Sequence, residues 1–131
     1  MKHISLYKTD FLKIEYNLVD EIVIATWSGP LSGGEIINGY ENVSFFIKKN
    51  FCHKLLDDHS DVQGIWADLS DWVAFDWHPR VVDLGLQYHA CVYSRSVFSR
   101  LSTDLTIKMM KEGIVKGYDT IIDAQNWLLD F

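Results

Sequence analysis

Residues 12–35 read LKIEYNLVDEIVIATWSGPLSGGE, and this stretch decides the fold class. Over residues 12–17 apolar and polar residues alternate strictly, and this period of two is typical of a half-buried strand. After a polar turn at residues 20–21, the run 22–27 is apolar without alternation, which favours a central strand covered on both faces. The two segments together predict an antiparallel hairpin.

A helix start follows the hairpin directly. The motif SGGE at residues 32–35 has the form of a capping box, in which the Ser oxygen accepts the third helical N–H and the Glu reaches back. Apolar residues recur behind it at helical spacing, and two lysines end the pattern. The apolar positions are Ile36, Tyr40, Val43 and Ile47. The sequence therefore predicts a helix over residues 33–49.

Further strands are predicted at residues 53–57, 87–93 and 114–118, and residues 3–8 form either an edge strand or a packed tail. The strands alternate with helices after the hairpin, and such alternation requires right-handed crossovers. We therefore expect an α/β fold with a mixed, largely parallel sheet. The carboxyl ends of its strands, at Gly29, His59, Ser94-Arg95 and Asp119, then lie on the usual crevice side.

Three more helices follow from capping residues and apolar spacing. Asp76 is the predicted N-cap of a short helix at 77–84, and Asp119 or Thr120 caps a terminal helix. Between these, the apolar spacing predicts a helix that ends near Gly113. Its expected core face consists of Phe98, Leu101, Leu105 and Met109. The connection 58–75 either is functional or contains another helical turn.

Composition narrows the class of protein. The chain of 131 residues carries a net charge of −6, so a single domain over residues 1–131 is expected, and a nucleic-acid binder is not. No apolar run approaches the ~20 residues of a membrane span. Only two cysteines occur and no apolar leader is visible, which together favour a cytoplasmic protein without disulfides.

Several segments carry a family resemblance. They are Trp27-Ser28-Gly29-Pro30-Leu31-Ser32, Gly39-Tyr40, Lys54-Leu55-Leu56-Asp57, Asp71-Trp72, Pro79-Arg80, Gly85-Leu86, Ala90 and Ala124–Trp127-Leu128. Over about residues 10–129 the chain resembles the SpoIIAA-like, STAS-type family of small bacterial proteins, and in particular an uncharacterised branch met in Bacteroidetes-like genomes. The resemblance implies a βα superhelix with helices packed on a mixed sheet, and it implies no known activity.

The chain departs from this family at the phosphorylation site. Anti-sigma-factor antagonists of the STAS class carry an Asp-Ser-Ser-Gly motif at a helix start, and one of its serines is phosphorylated. The matching region here reads GIWADLSDW over residues 64–72, which leaves Ser70 as the only hydroxyl nearby.

Candidate binding and catalytic residues are few. Gly29, Ser32, Gly33 and Gly34 form a turn that could hold an anion at a helix N-terminus, although the Lys-Ser/Thr of a P-loop is missing. His78, His89 and Cys91 are interpreted as core or surface residues, because no nucleophile elbow or triad spacing surrounds them. The sequence therefore predicts a protein that is not an enzyme.

The densest set of possible metal ligands lies between residues 52 and 61. Its members are Cys52, His53, Asp57, Asp58, His59 and Asp61. No zinc or calcium motif fits this spacing, so we interpret the segment as a solvated acidic loop in which Asp57 and His59 can pair. No cofactor or metal is predicted.

Aromatic residues crowd the segment before the second helix. This segment either covers one end of the core or forms a partly exposed contact surface. The residues concerned are Trp66, Trp72, Phe75, Trp77 and Arg80. The leading hypothesis is a non-enzymatic regulatory or protein-interaction module that forms a homodimer or binds a protein partner through this surface. The alternative is a protein that holds a small apolar or anionic ligand between the Gly29–Ser32 turn and the aromatic segment.

Overall fold

Six strands form one sheet whose order follows the chain. The computed structural model describes residues 2–131. The strands are His3–Lys8 (β1), Leu12–Asn17 (β2), Ile22–Pro30 (β3), Lys54–Gln63 (β4), Tyr88–Val92 (β5) and Ile114–Tyr118 (β6). Neighbours are antiparallel from β1 to β3 and parallel from β3 to β6. The predicted mixed, largely parallel sheet is confirmed, and residues 3–8 are an edge strand.

The helices cover both faces of this sheet. They are Gly33–Lys49 (α1), His78–Asp83 (α2), Val97–Met109 (α3) and Ile121–Leu128 (α4), with a 3₁₀ turn at Ala67–Leu69 and a π-helix at Trp72–Trp77. The crossovers from β3 to β6 all step in one direction, so right-handed connections place α1, α2 and α3 on the same face. The helix α4 packs on the other face, against β4, β5 and β6.

The start of α1 confirms the predicted capping box. The Ser32 hydroxyl accepts from the Glu35 backbone N–H at 3.3 Å, and Glu35 Oε1 accepts from the Ser32 N–H at 2.9 Å. The helix lies close to β3 at Gly39, where a Cβ atom would come within 2.3 Å of the Trp27 ring. A glycine at this position therefore sets the distance between α1 and the sheet.

The segment after β3 differs from the prediction in two places. The strand β4 continues to Gln63 with an extra residue opposite β3, so Asp57, Asp58 and His59 are buried in a strand and the predicted solvated loop is wrong. The prediction of Asp76 as an N-cap is also wrong. The π-helix runs directly into α2, and Asp76 instead pairs with Arg80 at 2.9 Å.

The helix α3 is oriented opposite to the prediction. Phe98, Leu101 and Leu105 were expected in the core, but all three are exposed. The buried face of α3 consists of small hydroxyl residues, namely Ser99, Ser102, Thr103 and Thr106. Their hydroxyls bond to the segment before α2 and to the helix backbone, and this satisfies them without apolar packing.

Candidate functional site

Two neighbouring strands bring a set of reactive side chains together in the core. Asp57 and His59 are two residues apart on β4 and share a face, and His89 and Cys91 do the same on β5. The parallel register places Asp57 opposite Cys91. We name these residues, together with two aromatic neighbours, the Asp57 cluster. Its members are Trp27, Tyr40, Asp57, His59, His89 and Cys91, and each is 3% exposed or less.

Four donors surround the Asp57 carboxylate. Trp27 Nε1 donates to Oδ1 and the Tyr40 hydroxyl donates to Oδ2, each at 2.8 Å. His89 Nε2 lies 2.9 Å from Oδ2, and His59 Nε2 lies 3.2 Å from Oδ1. Both histidines therefore face the carboxylate through Nε2, and the predicted pairing of Asp57 with His59 is confirmed. Their Nδ1 atoms are buried and have no hydrogen-bond partner within residues 2–131.

The surroundings lower the pKa of Asp57 and raise the pKa values of Tyr40 and Cys91. Burial alone would raise the pKa of Asp57, but the charge of His59 and the hydrogen bonds from His59 and His89 outweigh it, and the pKa falls well below 3.8. Burial and then the Asp57 charge raise the pKa of Tyr40 and of Cys91 well above their ordinary values. The cluster thus contains one carboxylate beside a neutral phenol and a neutral thiol.

Two tryptophans roof the Asp57 cluster. The Trp77 ring lies 4.4 Å from the Tyr40 ring, and its Nε1 donates to the Tyr40 carbonyl at 2.8 Å and to the Ser44 hydroxyl at 2.7 Å. The Trp66 ring lies 5.6 Å from that of His59. Trp66 and Trp77 therefore belong to the core, and their inclusion in an exposed contact surface is corrected.

The rest of the predicted contact surface lies outside this roof. Phe75 is 55% exposed. The Arg80 guanidinium lies 5.9 Å from the half-buried Trp72 ring and pairs with Glu41 at 2.7 Å as well as with Asp76. A role of Trp72, Phe75 and Arg80 in binding a partner stays a prediction.

The structure does not favour Ser70 as a phosphorylation site or the turn at residues 29–34 as an anion site. Ser70 is 1% exposed and bonds to the Thr106 hydroxyl at 2.8 Å, so a kinase cannot reach it in this conformation. At the predicted anion turn, the Glu35 carboxylate already occupies the N-terminus of α1 beside Ser32. Gly33 instead lets the Leu69 side chain approach, since a Cβ atom there would lie 3.3 Å from it.

A crevice lies at the carboxyl ends of β3, β4 and β5, on the side where the sequence places it. Its volume is about 530 Å³. Gly29 lines it, with Ser60, Ser94 and Arg95. His59 does not, because its side chain points into the core. The Arg95 guanidinium is exposed and lies 3.4 Å from Asp61.

The outer face of α3 forms an apolar stripe. Its members are Val97, Phe98, Leu101 and Leu105, which are exposed by 67, 60, 59 and 45%. Charged side chains border the stripe in pairs of opposite sign, namely Arg95–Asp61, Arg100–Asp119 and Lys108–Asp104. The three cations near the apolar stripe are therefore each paired with an acidic side chain.

Comparisons with known proteins agree with the geometry of the sheet. No family model and no curated protein matches the sequence. A crystal structure of an uncharacterized DUF3478-family protein with a SpoIIAA-like fold, from Shewanella loihica PV-4, superposes with a TM-score of 0.50. The match covers 94% of this chain and 98% of that chain at 14% identity. This chain has a SpoIIAA-like fold. The Bacteroidetes-like branch stays a prediction.

The assembly of the Asp57 cluster and the orientation of α3 are not predicted by the sequence patterns. The spacing of His89 and Cys91, two residues apart on a predicted strand, placed them on one face. The spacing does not give the register of β5 against β4, which places Cys91 opposite Asp57. For α3, the hydroxyl residues at helical spacing were a signal of a second face.

Proposed function

We propose that this protein is a non-catalytic, cytoplasmic interaction module that forms a homodimer through the apolar stripe of α3. The observation that carries the proposal is the outward apolar face of a helix whose buried face is made of hydroxyls. Exposed contiguous apolar surface of this kind is typical of protein–protein contacts. The six residues of the Asp57 cluster are buried, which supports a structural rather than a catalytic role for them.

The charges around the stripe favour a second copy of this chain as the occupant. An anionic membrane or an acidic partner would be attracted by unpaired cations, whereas the three cations at the rim are each paired with an acid. The chain as a whole carries −6, so two copies repel least where the local charge is balanced.

An antiparallel pair of α3 helices matches the apolar residues of the stripe. With a two-fold axis near Leu101, Val97 of one copy meets Leu105 of the other, and the contact is self-complementary. Arg100 of one copy then lies opposite Ser102 of the other, equally far along the helix axis from its Arg100 and its Asp104.

The test compares two matched substitutions by sedimentation over a concentration series. Leu101→Glu places a charge in the centre of the stripe and is expected to give a monomer. Val19→Glu makes the same kind of change at an exposed position in the turn between β2 and β3, remote from α3, and is expected to stay dimeric. A wild-type chain that is monomeric throughout, or a dimer that survives Leu101→Glu, would contradict the proposal.

A small anionic ligand in the crevice is the second candidate function. The crevice combines a volume of about 530 Å³ with serine hydroxyls and the Arg95 guanidinium. Its lining supports a polar ligand over an apolar one. A thermal-shift screen of phosphates and carboxylates, repeated with Arg95→Gln, tests it, and the absence of any Arg95-dependent shift counts against it.

A further inference from the structure

The Asp57 carboxylate is buried without a lysine or arginine partner within residues 2–131. Four hydrogen bonds compensate the cost of burying this anion, and a bound cation compensates it further. The neighbours that the strands supply are an imidazole and a thiol, which are metal ligands, rather than an ammonium or a guanidinium. We propose that Asp57, His89 and Cys91 form a site for one Zn²⁺ ion.

The ligand atoms are already near the spacing that zinc needs. His89 Nε2 lies 2.9 Å from Asp57 Oδ2 and 3.3 Å from Cys91 Sγ, and all three ligand atoms lie within 4.8 Å of one another. With Zn–N and Zn–O of about 2.0 Å and Zn–S of about 2.3 Å, tetrahedral ligands are on the order of 3.3–3.6 Å apart. The two separations from His89 are within a few tenths of an ångström of this spacing, and the Asp57–Cys91 separation, which is within 4.8 Å, closes toward it when the ion binds.

Charge and protons balance in the proposed complex. The thiol of Cys91 loses its proton to solvent when its sulfur binds the metal, and the carboxylate of Asp57 binds as it stands. The proton on His89 Nε2 moves to Nδ1, which has no partner within the described chain. One divalent cation with one carboxylate and one thiolate is electrically neutral, so the occupied site carries no net charge in the core.

The surroundings supply support for the ligands. Trp27 Nε1 donates to the other carboxylate oxygen at 2.8 Å, which fixes the orientation of Asp57 as an outer-shell donor does in zinc proteins. The Tyr40 hydroxyl lies 2.8 Å from Oδ2, and its oxygen is a candidate for the fourth position. The donor set of one sulfur, one imidazole nitrogen and oxygen suits zinc better than magnesium or calcium.

Cobalt(II) tests the site, because a thiolate ligand gives a charge-transfer band and a tetrahedral environment gives intense visible bands. The cluster is buried, so the full chain is refolded with Co²⁺ and with Zn²⁺ and then desalted. We expect one metal per chain, a thiolate–cobalt band in the wild type, and a higher melting temperature with Zn²⁺. Cys91→Ser should lose the band and the melting-temperature shift.

Cys52→Ser is the matched control, since Cys52 is also buried but hydrogen-bonds to the Glu21 and Lys54 carbonyls. It should keep both the band and the shift. A wild-type chain that refolds without bound metal overturns the proposal, as does binding that lacks a thiolate band. If Cys91→Ser fails to fold, the wild-type spectrum together with Cys91→Ala decides the question. Binding that persists without Cys91 identifies a surface site and also overturns it.

Discussion

The helices α1 and α3 lie on the same face of one sheet, but the apolar side of α1 faces the sheet and the apolar side of α3 faces outward. The inner face of α1 is apolar, with Val43 and Ile47 fully buried, and its outer face carries charges such as Glu41. The inner face of α3 is made of hydroxyls, and its outer face is apolar. The comparison shows that α1 is held by burial of apolar surface, whereas α3 is positioned by hydrogen bonds and leaves its apolar surface free.

The largest expected effect on the free energy of unfolding comes from Trp77, which packs against Tyr40 of α1. Trp77→Ala removes a ring that is fully buried and bonded to the Tyr40 carbonyl, so we expect a loss of about 3–5 kcal/mol in the free energy of unfolding. Phe75→Ala is the control on the exposed side of the same π-helix, with an expected change within about 0.5 kcal/mol. Denaturant unfolding of both variants measures the difference. Equal losses would show that the π-helix has no buried side.

The second expected effect concerns the buried carboxylate. Asp57→Asn replaces one oxygen by an NH₂ group, which faces donors and leaves at least one of them unpaired. We expect a loss of about 2–3 kcal/mol, because an unsatisfied buried donor costs about 1–3 kcal/mol. Asp61→Asn on the exposed end of β4 is the control, and its unfolding free energy should stay close to that of the wild type. A stable Asp57→Asn variant would mean that the four donors contribute little to folding.

These two effects show what could be predicted from the sequence. The strand of alternating residues, the capping box at Ser32 and the terminal cap at Thr120 depend on local chemistry, and the structure contains all three. The Asp57 cluster depends instead on how β5 pairs with β4, a contact across more than thirty residues. Local spacing identifies a shared face on each strand, but it does not set the register between them.

The orientation of α3 differs from the prediction for a different physical reason. Periodicity reveals that a helix has two faces, and apolar residues normally turn inward because burial removes them from water. Here Ser99 and Ser102 form hydrogen bonds with the backbone of Gly64 and Trp66, which hold the hydroxyl face of α3 against that segment. The tertiary neighbours therefore reverse the orientation that the pattern alone predicts.

The third expected effect is a pH dependence of the free energy of unfolding, which arises from His78 at the start of α2. Burial, followed by the charge of His89, lowers the pKa of His78 from 6.5 to about 3. The unfolded chain then binds one more proton than the folded chain below pH 6.5, so stability falls as the pH drops. The expected slope is about 1.4 kcal/mol per pH unit until the pH approaches the folded value.

Denaturant unfolding between pH 7 and pH 4 measures this slope. His78→Leu should flatten it, because the stability that Asp57 contributes is complete above its unfolded pKa of 3.8 and is lost only below the range measured. An unchanged slope in His78→Leu would assign the acid sensitivity to another group. Because both groups lie on the α1 and α2 side of the sheet, acid should weaken that side before it affects α4.

The smallest expected effect is that of Leu101→Ala in α3, and a buried residue of α1 provides the comparison. Ile47→Ala in α1 removes a fully buried side chain and should cost about 2–5 kcal/mol. Leu101→Ala in α3 removes a side chain that is 59% exposed, so in dilute protein, where the chain is monomeric, we expect a change within about 0.5 kcal/mol. At concentrations that favour the dimer, the same variant should lose stability relative to the wild type, because association stabilises only the folded state. A large loss in the dilute monomer would mean that Leu101 packs within its own chain, and the apolar stripe would then have no surface to offer a second copy.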